Sequence, residues 1–171
     1  MTSQHTHTTT TFNIKNFPIV LICDGVQSPS NIGSLFRISD ALGISEIIFC
    51  DAIINFNSPR LQKTARSTQK KVKYSESKSI ITSLENLKKK DYKIVALEIT
   101  DTSIAIEKFT LPKDQKVALV IGNEQKGVSN EVLQNDPVTV HIEMYGENSS
   151  MNVVQAATIA LHSIINKSYI Y

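Results

Sequence analysis

Five runs of apolar and β-branched residues recur along the chain, and polar segments separate them. The runs are near-continuous rather than alternating, which is typical of strands that are covered on both faces. They predict strands over residues 19–23, 44–50, 92–99, 117–121 and 138–144. The segments between them predict helices over residues 30–42, 59–69, 77–90, 129–134 and 151–166. Because strands alternate with helices, we expect an α/β fold with a mainly parallel sheet and helices on both faces.

The last predicted helix is apolar on almost every side. Its apolar positions are Val153, Val154, Ala156, Ala157, Ile159, Ala160, Leu161, Ile164 and Ile165. Such a helix is buried, either in the core or against another subunit. Since a chain of 171 residues has few other elements that could cover it, we expect a homodimer that forms through this helix. His162 in this helix and His141 in the last strand are expected to be packed or rim residues rather than ligands.

Length and composition fit a single globular domain, which we place at residues 12–171. The chain has 171 residues, of which 41% are hydrophobic and 20% are charged, so it can bury a core. Residues 1–11 are polar and lack the apolar middle of a signal peptide, which predicts a disordered tail. No stretch reaches the roughly 20 apolar residues of a membrane span, so we expect no membrane partner. Cys23 and Cys50 lie in apolar strands without CxxC spacing, which favours buried, reduced thiols in a cytoplasmic protein.

Three polar clusters follow predicted strands, at the points where the strands end. They are Asn31-Ile32-Gly33, Gly122-Asn123-Glu124 and Ser150-Met151-Asn152. In an open parallel sheet, ligands bind at the carboxyl edge of the strands, in the loops that lead into helices. The clusters therefore predict one composite pocket. The second cluster is not a P-loop, because no Lys-Ser/Thr pair follows Gly127, and no GxGxxG motif opens a helix. The usual nucleotide-binding folds are therefore poorly supported.

Arg37 lies one turn after the first cluster, on the first predicted helix. This helix buries a stripe that begins at Ile32, and Arg37 lies about 140° round the helix from it at 3.6 residues per turn. Arg37 therefore points away from the core. A solvated surface arginine would satisfy the same pattern, but its place at the predicted ligand edge makes Arg37 a candidate for the site.

A basic segment lies between Asp51 and Glu76, where the chain has no acidic residue. Its cations are Arg60, Lys63, Arg66, Lys70, Lys71 and Lys73. The first three recur every three residues, so they fall along one side of the predicted helix. Such a stripe can neutralise phosphates and release counterions, which is the sequence-independent part of nucleic-acid binding. The alternative is a solvated helix face, which a charge run usually forms. Both interpretations stay open, because donors that suit phosphates are interleaved with the cations, namely Thr64, Ser67, Thr68 and Gln69.

Taken together, the three clusters resemble the SpoU (TrmH) family of RNA ribose 2′-O-methyltransferases, within the SPOUT superfamily. The segments that carry the resemblance are 31–43, 117–127 and 142–157, which occur in the family's order and spacing. The resemblance covers the chain from about residue 17 to residue 165. One motif would be weak support, whereas three in register are strong.

The resemblance implies a sheet whose C-terminal segment threads a trefoil knot, an exception to the usual unknotted topology. The knot would build the pocket for S-adenosylmethionine, with S-adenosylhomocysteine as product, and no metal is needed. The residues that match the family's cofactor pocket are Leu97, Gly122, Ile142, Met144 and Met151. Family members act as homodimers, in which the RNA-side residues of one subunit face the cofactor of the other.

The resemblance also implies the chemistry. A ribose 2′-hydroxyl is a poor nucleophile, so it must lose its proton as it attacks the methyl carbon. The family assigns the base role to the arginine that matches Arg37, with help from an RNA phosphate. Because arginine is normally always protonated, the alternative is that Arg37 clamps phosphate and orients the hydroxyl. The residues that would hold the geometry of the site are Asn31, Glu124, Ser150 and Asn152.

The chain departs from the family pattern in two respects. Gln125 stands where glycine often follows the glutamate, and Met151 stands where leucine is usual. Methionine keeps the volume and apolar character of leucine, so we expect cofactor binding to survive. We also expect no extra N-terminal RNA-binding domain of the kind that many members carry. We therefore expect the target RNA to bind the dimer surface itself, with the basic segment as the candidate.

We expect the substrate to be tRNA rather than rRNA, by fold-level analogy with small members of the family. Two alternatives stay open, a knotted methyltransferase that acts on a base nitrogen and a catalytically silent RNA-binding dimer. Arg37 and the cluster around Met151 argue against the first alternative. The presence of every polar site residue disfavours the second.

Overall fold

A single seven-stranded sheet organises the chain in the computed structural model, which describes Thr10 and residues 12–170. Its strands are β1 (Phe17–Asp24), β2 (Ile44–Cys50), β3 (Tyr74–Ser77), β4 (Lys93–Leu97), β5 (Ile104–Ala105), β6 (Val117–Ile121) and β7 (Val138–His141). Every pair of neighbouring strands is parallel, which confirms the predicted parallel sheet. The tail predicted for residues 1–11 lies outside the described residues, apart from Thr10.

Helices cover both faces of this sheet, whose strand order is β3-β2-β1-β6-β4-β7-β5. The helices are α1 (Pro29–Ala41), α2 (Pro59–Ala65), α3 (Ile80–Lys88), α4 (Asn130–Leu133) and α5 (Val153–Ile165). On one face, Leu21 of β1 belongs to a hydrophobic cluster with Phe36 of α1 and Leu161 of α5. On the other face, Ile22 belongs to a cluster with Leu84 of α3. The helices thus lie on both faces, as the near-continuous apolar runs indicate.

Two edge strands, β3 and β5, are absent from the sequence-based prediction. β3 has the polar sequence Tyr-Ser-Glu-Ser, and its residues alternate between exposed and half-buried. β5 has only two residues and pairs with the end of β7. Short polar strands are typical of sheet edges, where one side of the backbone faces solvent. Hydrophobic periodicity therefore carries little signal for them.

The helix predicted for residues 59–69 is wrong at its C-terminal end. α2 ends at Ala65, because Arg66 and Ser67 adopt left-handed backbone conformations with φ of 49° and 70°. A short 3₁₀ turn over Thr68–Lys70 follows. Arg60 and Lys63 lie on α2, but Arg66 caps its end. The basic stripe is therefore not carried by one continuous helix.

Within a single chain, the last helix is covered on one face only, whereas the sequence predicts burial either in the core or against another subunit. Its buried residues are Ala157, Ala160, Leu161, Ile164 and Ile165. Gln155, Ile159 and His162 are exposed, and 41% of Ile159 is accessible to solvent. An apolar side chain therefore faces outward between buried turns of α5. In the part of the chain that the structure describes, no helix combines the length and hydropathy needed to cross a membrane.

Candidate functional site

A cleft of about 490 Å³ lies at the carboxyl edge of the sheet. Its walls come from the segments that follow β4, β6 and β7 and from the segment that leads into α5. This volume falls within the roughly 300–1,000 Å³ that is typical of small-molecule and cofactor sites. The second and third polar clusters line the cleft, and the first is bonded to both of them.

Hydrogen bonds between side chains join the three polar clusters. The side-chain amide of Asn31 donates to Glu124 Oε1 at 2.8 Å, across 93 positions of sequence. The side-chain amide of Asn152 donates to Asn31 Oδ1 at 3.2 Å, across 121 positions. The backbone N–H of Ser28 also donates to Glu124 Oε1, at 3.2 Å. The convergence predicted from the sequence is therefore a direct contact.

Glu124 is held as a carboxylate by its surroundings. Burial raises the pKa of its carboxyl group, but hydrogen bonds from Asn31 and from the backbone N–H groups of Glu124, Ser28 and Gln27 outweigh it. The pKa of Glu124 therefore lies below its ordinary value of 4.5. An ionised carboxylate is only an acceptor, so it fixes the side-chain amide of Asn31 with its nitrogen toward Glu124 and its oxygen toward Asn152.

Glu124→Gln is expected to lower the free energy of unfolding at neutral pH by roughly 1 kcal/mol, because hydrogen bonds to a charged group contribute modestly at a partly exposed site. Since the pKa of Glu124 is depressed on folding, this contribution is fully present above about pH 4.5 and is lost as the pH falls through the folded-state value. Chemical denaturation of both proteins between neutral pH and about pH 3 measures the difference. If the difference in free energy of unfolding between the two proteins grows as the pH falls, the depressed pKa of Glu124 is contradicted.

The loop after β6 is a tight hairpin that presents Glu124. An antiparallel bridge between Asn123 and Gly127 closes it, with N–H···O distances of 3.0 and 2.9 Å. The side-chain amide of Asn123 donates to the Gly25 carbonyl at 2.6 Å, and Asn123 Oδ1 accepts the backbone N–H of Gln125 at 2.9 Å. The loop is therefore tied both to itself and to the end of β1.

Gly122 lies at the base of this hairpin, where a larger residue does not fit. A Cβ atom there would lie 2.0 Å from the carbonyl carbon of Gly127 and 2.2 Å from the nitrogen of Val128. Both are backbone atoms, which cannot rotate away as a flexible side chain can. The close approach of two backbone segments thus shapes this side of the cleft.

Asn152 links the cleft to the helix behind it. Its Oδ1 accepts the backbone N–H of Val154 at 2.8 Å, so Asn152 is the N-cap of α5. Its amide nitrogen reaches Asn31. Because Asn152 is the cap, the helix begins at Val153 and not at Met151, where the sequence predicted it.

All of the residues predicted for the cofactor pocket line the cleft, namely Leu97, Gly122, Ile142, Met144 and Met151. Glu124, Ser150 and Asn152 line it as well. β7 ends at His141 and not at Met144 as predicted, so Ile142 and Met144 reach the cleft from a loop.

Arg37 lies outside this cleft. It is exposed on α1, whereas Leu35 and Phe36 of the same helix are buried, which confirms that it points away from the core. It is not among the residues that line the cleft, and it forms no ion pair with another described residue. The structure therefore brings together Asn31, Glu124 and Asn152 but leaves Arg37 facing solvent.

The six cations of the basic segment are all exposed. Lys73 donates to Glu46 at 2.8 Å, so a neighbouring carboxylate offsets its charge. Among the described residues, the other five cations form no salt bridge. Lys73 is therefore the member of the set that is least available to a phosphate.

Among the cleft residues that sequence reasoning missed, one carries a carboxylate and one an imidazole. Glu98 directly follows β4 at the same sheet edge, so the rule that identified Glu124 also applies to it. His141, expected to be a packed or rim residue, lines the cleft with its Nδ1 2.9 Å from Ser103 Oγ. No pattern of spacing distinguishes such a histidine from an ordinary strand residue.

The cysteines and possible metal ligands add no further site. Cys23 and Cys50 are free and buried, and burial raises the pKa of the Cys50 thiol to about 11. A thiol with so high a pKa is a poor nucleophile at neutral pH. Across Thr10 and residues 12–170, no three side chains of His, Cys, Asp or Glu are grouped so that they could hold a metal ion.

The model of the SpoU rRNA Methylase family matches residues 18–162. The chain belongs to this family. It is 30% identical over 151 residues to a 23S rRNA (guanosine-2′-O-)-methyltransferase from Xylella fastidiosa, and this alignment covers 87% of the chain and 59% of the relative. It is 24% identical over 145 residues to the 23S rRNA (guanosine(2553)-2′-O)-methyltransferase of Bacillus subtilis, and that alignment covers 85% of the chain and 57% of the relative. The chain thus spans less than two thirds of the length of these relatives.

Solved structures of the family share the fold of this SpoU-family chain. The SpoU methyltransferase AviRb from Streptomyces viridochromogenes, in complex with the cofactor AdoMet, aligns with a TM-score of 0.76 and 26% identity over 88% of this chain and 60% of that one. The TrmH/SpoU tRNA modifying enzyme of A. aeolicus aligns with a TM-score of 0.78 and 23% identity, over 90% of this chain and 77% of that one. At this identity, the second likeness concerns the fold alone.

Proposed function

We propose that this SpoU-family chain is an S-adenosylmethionine-dependent methyltransferase that modifies a ribose 2′-hydroxyl of RNA. The observation that carries the proposal is the hydrogen-bonded connection of Asn31, Glu124 and Asn152 beside one cleft. Structural packing alone would not require three polar side chains from distant segments at the carboxyl edge of the sheet. The relatives named as RNA 2′-O-methyltransferases point to the same chemistry.

The residues of the cleft fit S-adenosylmethionine. Gly122 allows the main chain to line the cleft without a side chain, and Leu97, Ile142 and Met151 offer apolar surface around it. The cofactor, when bound, supplies an activated methyl group. The protein therefore has to position the ribose hydroxyl next to this methyl group and to let the hydroxyl proton leave. Holding the two reacting groups in the correct orientation accelerates such a reaction. Ser150 and Asn152, at the cleft wall, are the proposed orienting groups.

Arg37 acts on the substrate side in this proposal, as a base or as a phosphate clamp. Because Arg37 does not line the cleft of its own chain, its target is the cleft of a second copy. A homodimer that forms through α5 would supply that copy. The exposed Ile159 and the open groove beside it, which Thr158, His162 and Asn166 line, support α5 as the contact surface.

The trefoil knot belongs to the same proposal. The loop after β6 and the segment that precedes α5 line one cleft, although α4 and β7 lie between them in sequence. A C-terminal segment that threads the chain would bring these two segments together and hold them there. The proposed catalytic unit is the stretch 12–171, and its reaction would take place in the cytoplasm.

Methyl transfer from isotopically labelled S-adenosylmethionine tests the proposed reaction. Purified protein is incubated with tRNA and, separately, rRNA from cells that lack the gene, and the RNA is digested to nucleosides. Label in 2′-O-methylnucleosides is expected, with tRNA as the favoured substrate. Label on a base would identify a base methyltransferase instead. RNA binding without binding of S-adenosylmethionine at millimolar concentration, and without transfer to either RNA, would favour a silent RNA-binding dimer.

Replacing Lys63, Arg66 and Lys70 with glutamine is expected to weaken RNA binding about tenfold or more at moderate salt, because three phosphate contacts are lost. The slope of log affinity against log salt should become shallower by roughly two to three. Fluorescence anisotropy with labelled RNA across a salt series measures both quantities. The side chains of these three residues are exposed, so the fold should tolerate the changes.

The matched control replaces Lys89, Lys90 and Lys93 with glutamine. These exposed residues lie at the end of α3 and the start of β4, at the sheet edge opposite the cleft. The control removes the same charge. Because it does so away from the cleft and from the basic segment, it should leave the slope of log affinity against log salt nearly unchanged. Equal effects from the two triple variants would indicate that only net charge matters, and the basic segment would then be a solvated surface.

A further inference from the structure

Glu98 is a carboxylate of the cleft that neither the polar clusters nor the proposed chemistry uses. It follows β4 directly, and its backbone N–H donates to the Val140 carbonyl at 2.9 Å. Its Oε1 accepts the backbone N–H of Ile99 at 2.9 Å, and its Oε2 accepts the backbone N–H of Val128 at 2.9 Å. The side chain therefore bridges the end of β4 and the loop after β6.

This bridge needs two acceptor atoms. A carboxylate accepts with both oxygens, and Glu98 uses one oxygen for each N–H group. A glutamine of the same shape has only one acceptor, and its amino group would direct a hydrogen at one of the two N–H groups. Replacing Glu98 with glutamine therefore removes one of the two acceptors.

The loop is shaped to receive this carboxylate. Gly127 has a positive φ of 68°, and a Cβ atom there would lie 2.3 Å from Glu98 Oε2. The absence of a side chain lets the backbone of the loop approach Glu98. On its other side, the loop passes so close to Gly122 that a Cβ atom on Gly122 would lie 2.0 Å from the carbonyl carbon of Gly127. Gly127 and Val128 thus lie between Gly122, which follows β6, and the Glu98 carboxylate.

We propose that Glu98 is a positioning residue, which fixes the hairpin loop after β6 and so sets the shape of the cleft for S-adenosylmethionine. This inference rests on the proposed cofactor. The loop carries both Gly122, at the cleft wall, and Glu124, which holds Asn31. Loosening the Val128 contact would therefore weaken cofactor binding more than it slows the transfer step.

Glu98→Gln tests the proposal with two measurements. The first is amide hydrogen exchange at Val128 in the cofactor-free protein, which should accelerate about five- to tenfold when the hydrogen bond is lost. The second is kinetics, in which the KM for S-adenosylmethionine should rise by a similar factor while kcat changes less than about twofold. Glu98→Ala, which removes both acceptors and introduces no opposing N–H, should have the same effects.

The control is Glu143→Gln, which neutralises an exposed carboxylate that accepts the Tyr145 hydroxyl beside the cleft. It should change neither measurement. Unchanged exchange at Val128 in both Glu98 variants would overturn the proposal, and so would faster exchange with unchanged cofactor affinity. If the wild-type protein fails to bind S-adenosylmethionine, the proposed function fails, whereas the exchange rate still decides whether Glu98 holds the loop.

Discussion

Arg37→Ala is expected to lower the rate of methyl transfer by about three orders of magnitude, within the range for loss of a group that assists proton transfer. Arg37 is exposed and forms no ion pair with another described residue, so its loss should leave the fold intact. Since it does not line the cleft of its own chain, affinity for S-adenosylmethionine should change less than about twofold. Single-turnover methylation and titration calorimetry measure the two quantities.

Arg37→Lys separates the two roles that the arginine could have. Lysine keeps a charge for phosphate but lacks the planar guanidinium. Recovery of most of the rate by lysine would show that a single positive charge suffices, as for a phosphate clamp, whereas no recovery would show that the planar guanidinium itself is required. Lys93→Ala removes the same charge from an exposed position at the start of β4, at the sheet edge opposite the cleft, and serves as the control. Wild-type turnover in Arg37→Ala would remove Arg37 from the mechanism.

Gly122→Ala is expected to weaken binding of S-adenosylmethionine roughly 5- to 150-fold, since overpacking of this kind costs roughly 1–3 kcal/mol. The added Cβ would lie 2.0 and 2.2 Å from backbone atoms of Gly127 and Val128, so the hairpin loop must shift. The loop carries Glu124, and its displacement would also loosen the contact with Asn31. Titration calorimetry measures the affinity, and thermal unfolding reports how much of the cost falls on stability.

Gly146→Ala is the matched control for this change. Gly146 is exposed, has no positive φ, and has no atom within 4 Å of an added Cβ. The same substitution there should leave stability and cofactor affinity nearly unchanged. Equal affinities for the wild type and Gly122→Ala would show that the loop can move without harm to the cleft.

The central strands could be predicted from sequence because both of their faces are buried. β6 is buried at all of its residues, and β1 from Ile19 onward, so their apolar runs are continuous. The edge strands β3 and β5 could not be predicted from sequence. One side of each strand faces solvent, so β3 is polar, and β5 has only two residues. Burial on both faces, rather than strand propensity, therefore determined which strands could be predicted from the sequence.

The end of α2 had no signal in the sequence. A helix commonly ends at a glycine, which adopts positive φ without strain. Here Arg66 and Ser67 adopt positive φ instead, and neither residue type marks a helix end. The turn that follows contributes a local contact, because the hydroxyl of the buried Thr68 donates to the Ala65 carbonyl at 2.6 Å.

The meeting of the polar clusters could be predicted, because parallel strands place the loops after them at one edge. The hydrogen bonds between particular side chains of the site could not be predicted. That Asn31 bonds both Glu124 and Asn152 depends on side-chain conformations that no spacing rule specifies. The role of Glu98 depends likewise on the path of the loop after β6, which the two glycines Gly122 and Gly127 determine.

Titration calorimetry with S-adenosylmethionine and the purified wild-type protein decides whether the cleft at the carboxyl edge is a cofactor site. We expect saturable binding with one site per chain and competition by S-adenosylhomocysteine. The same titration with Gly122→Ala should give a markedly weaker isotherm, because the substitution acts on the cleft wall. Absence of binding to the wild type at millimolar cofactor would contradict the assignment of the cleft and, with it, the proposed methyltransferase.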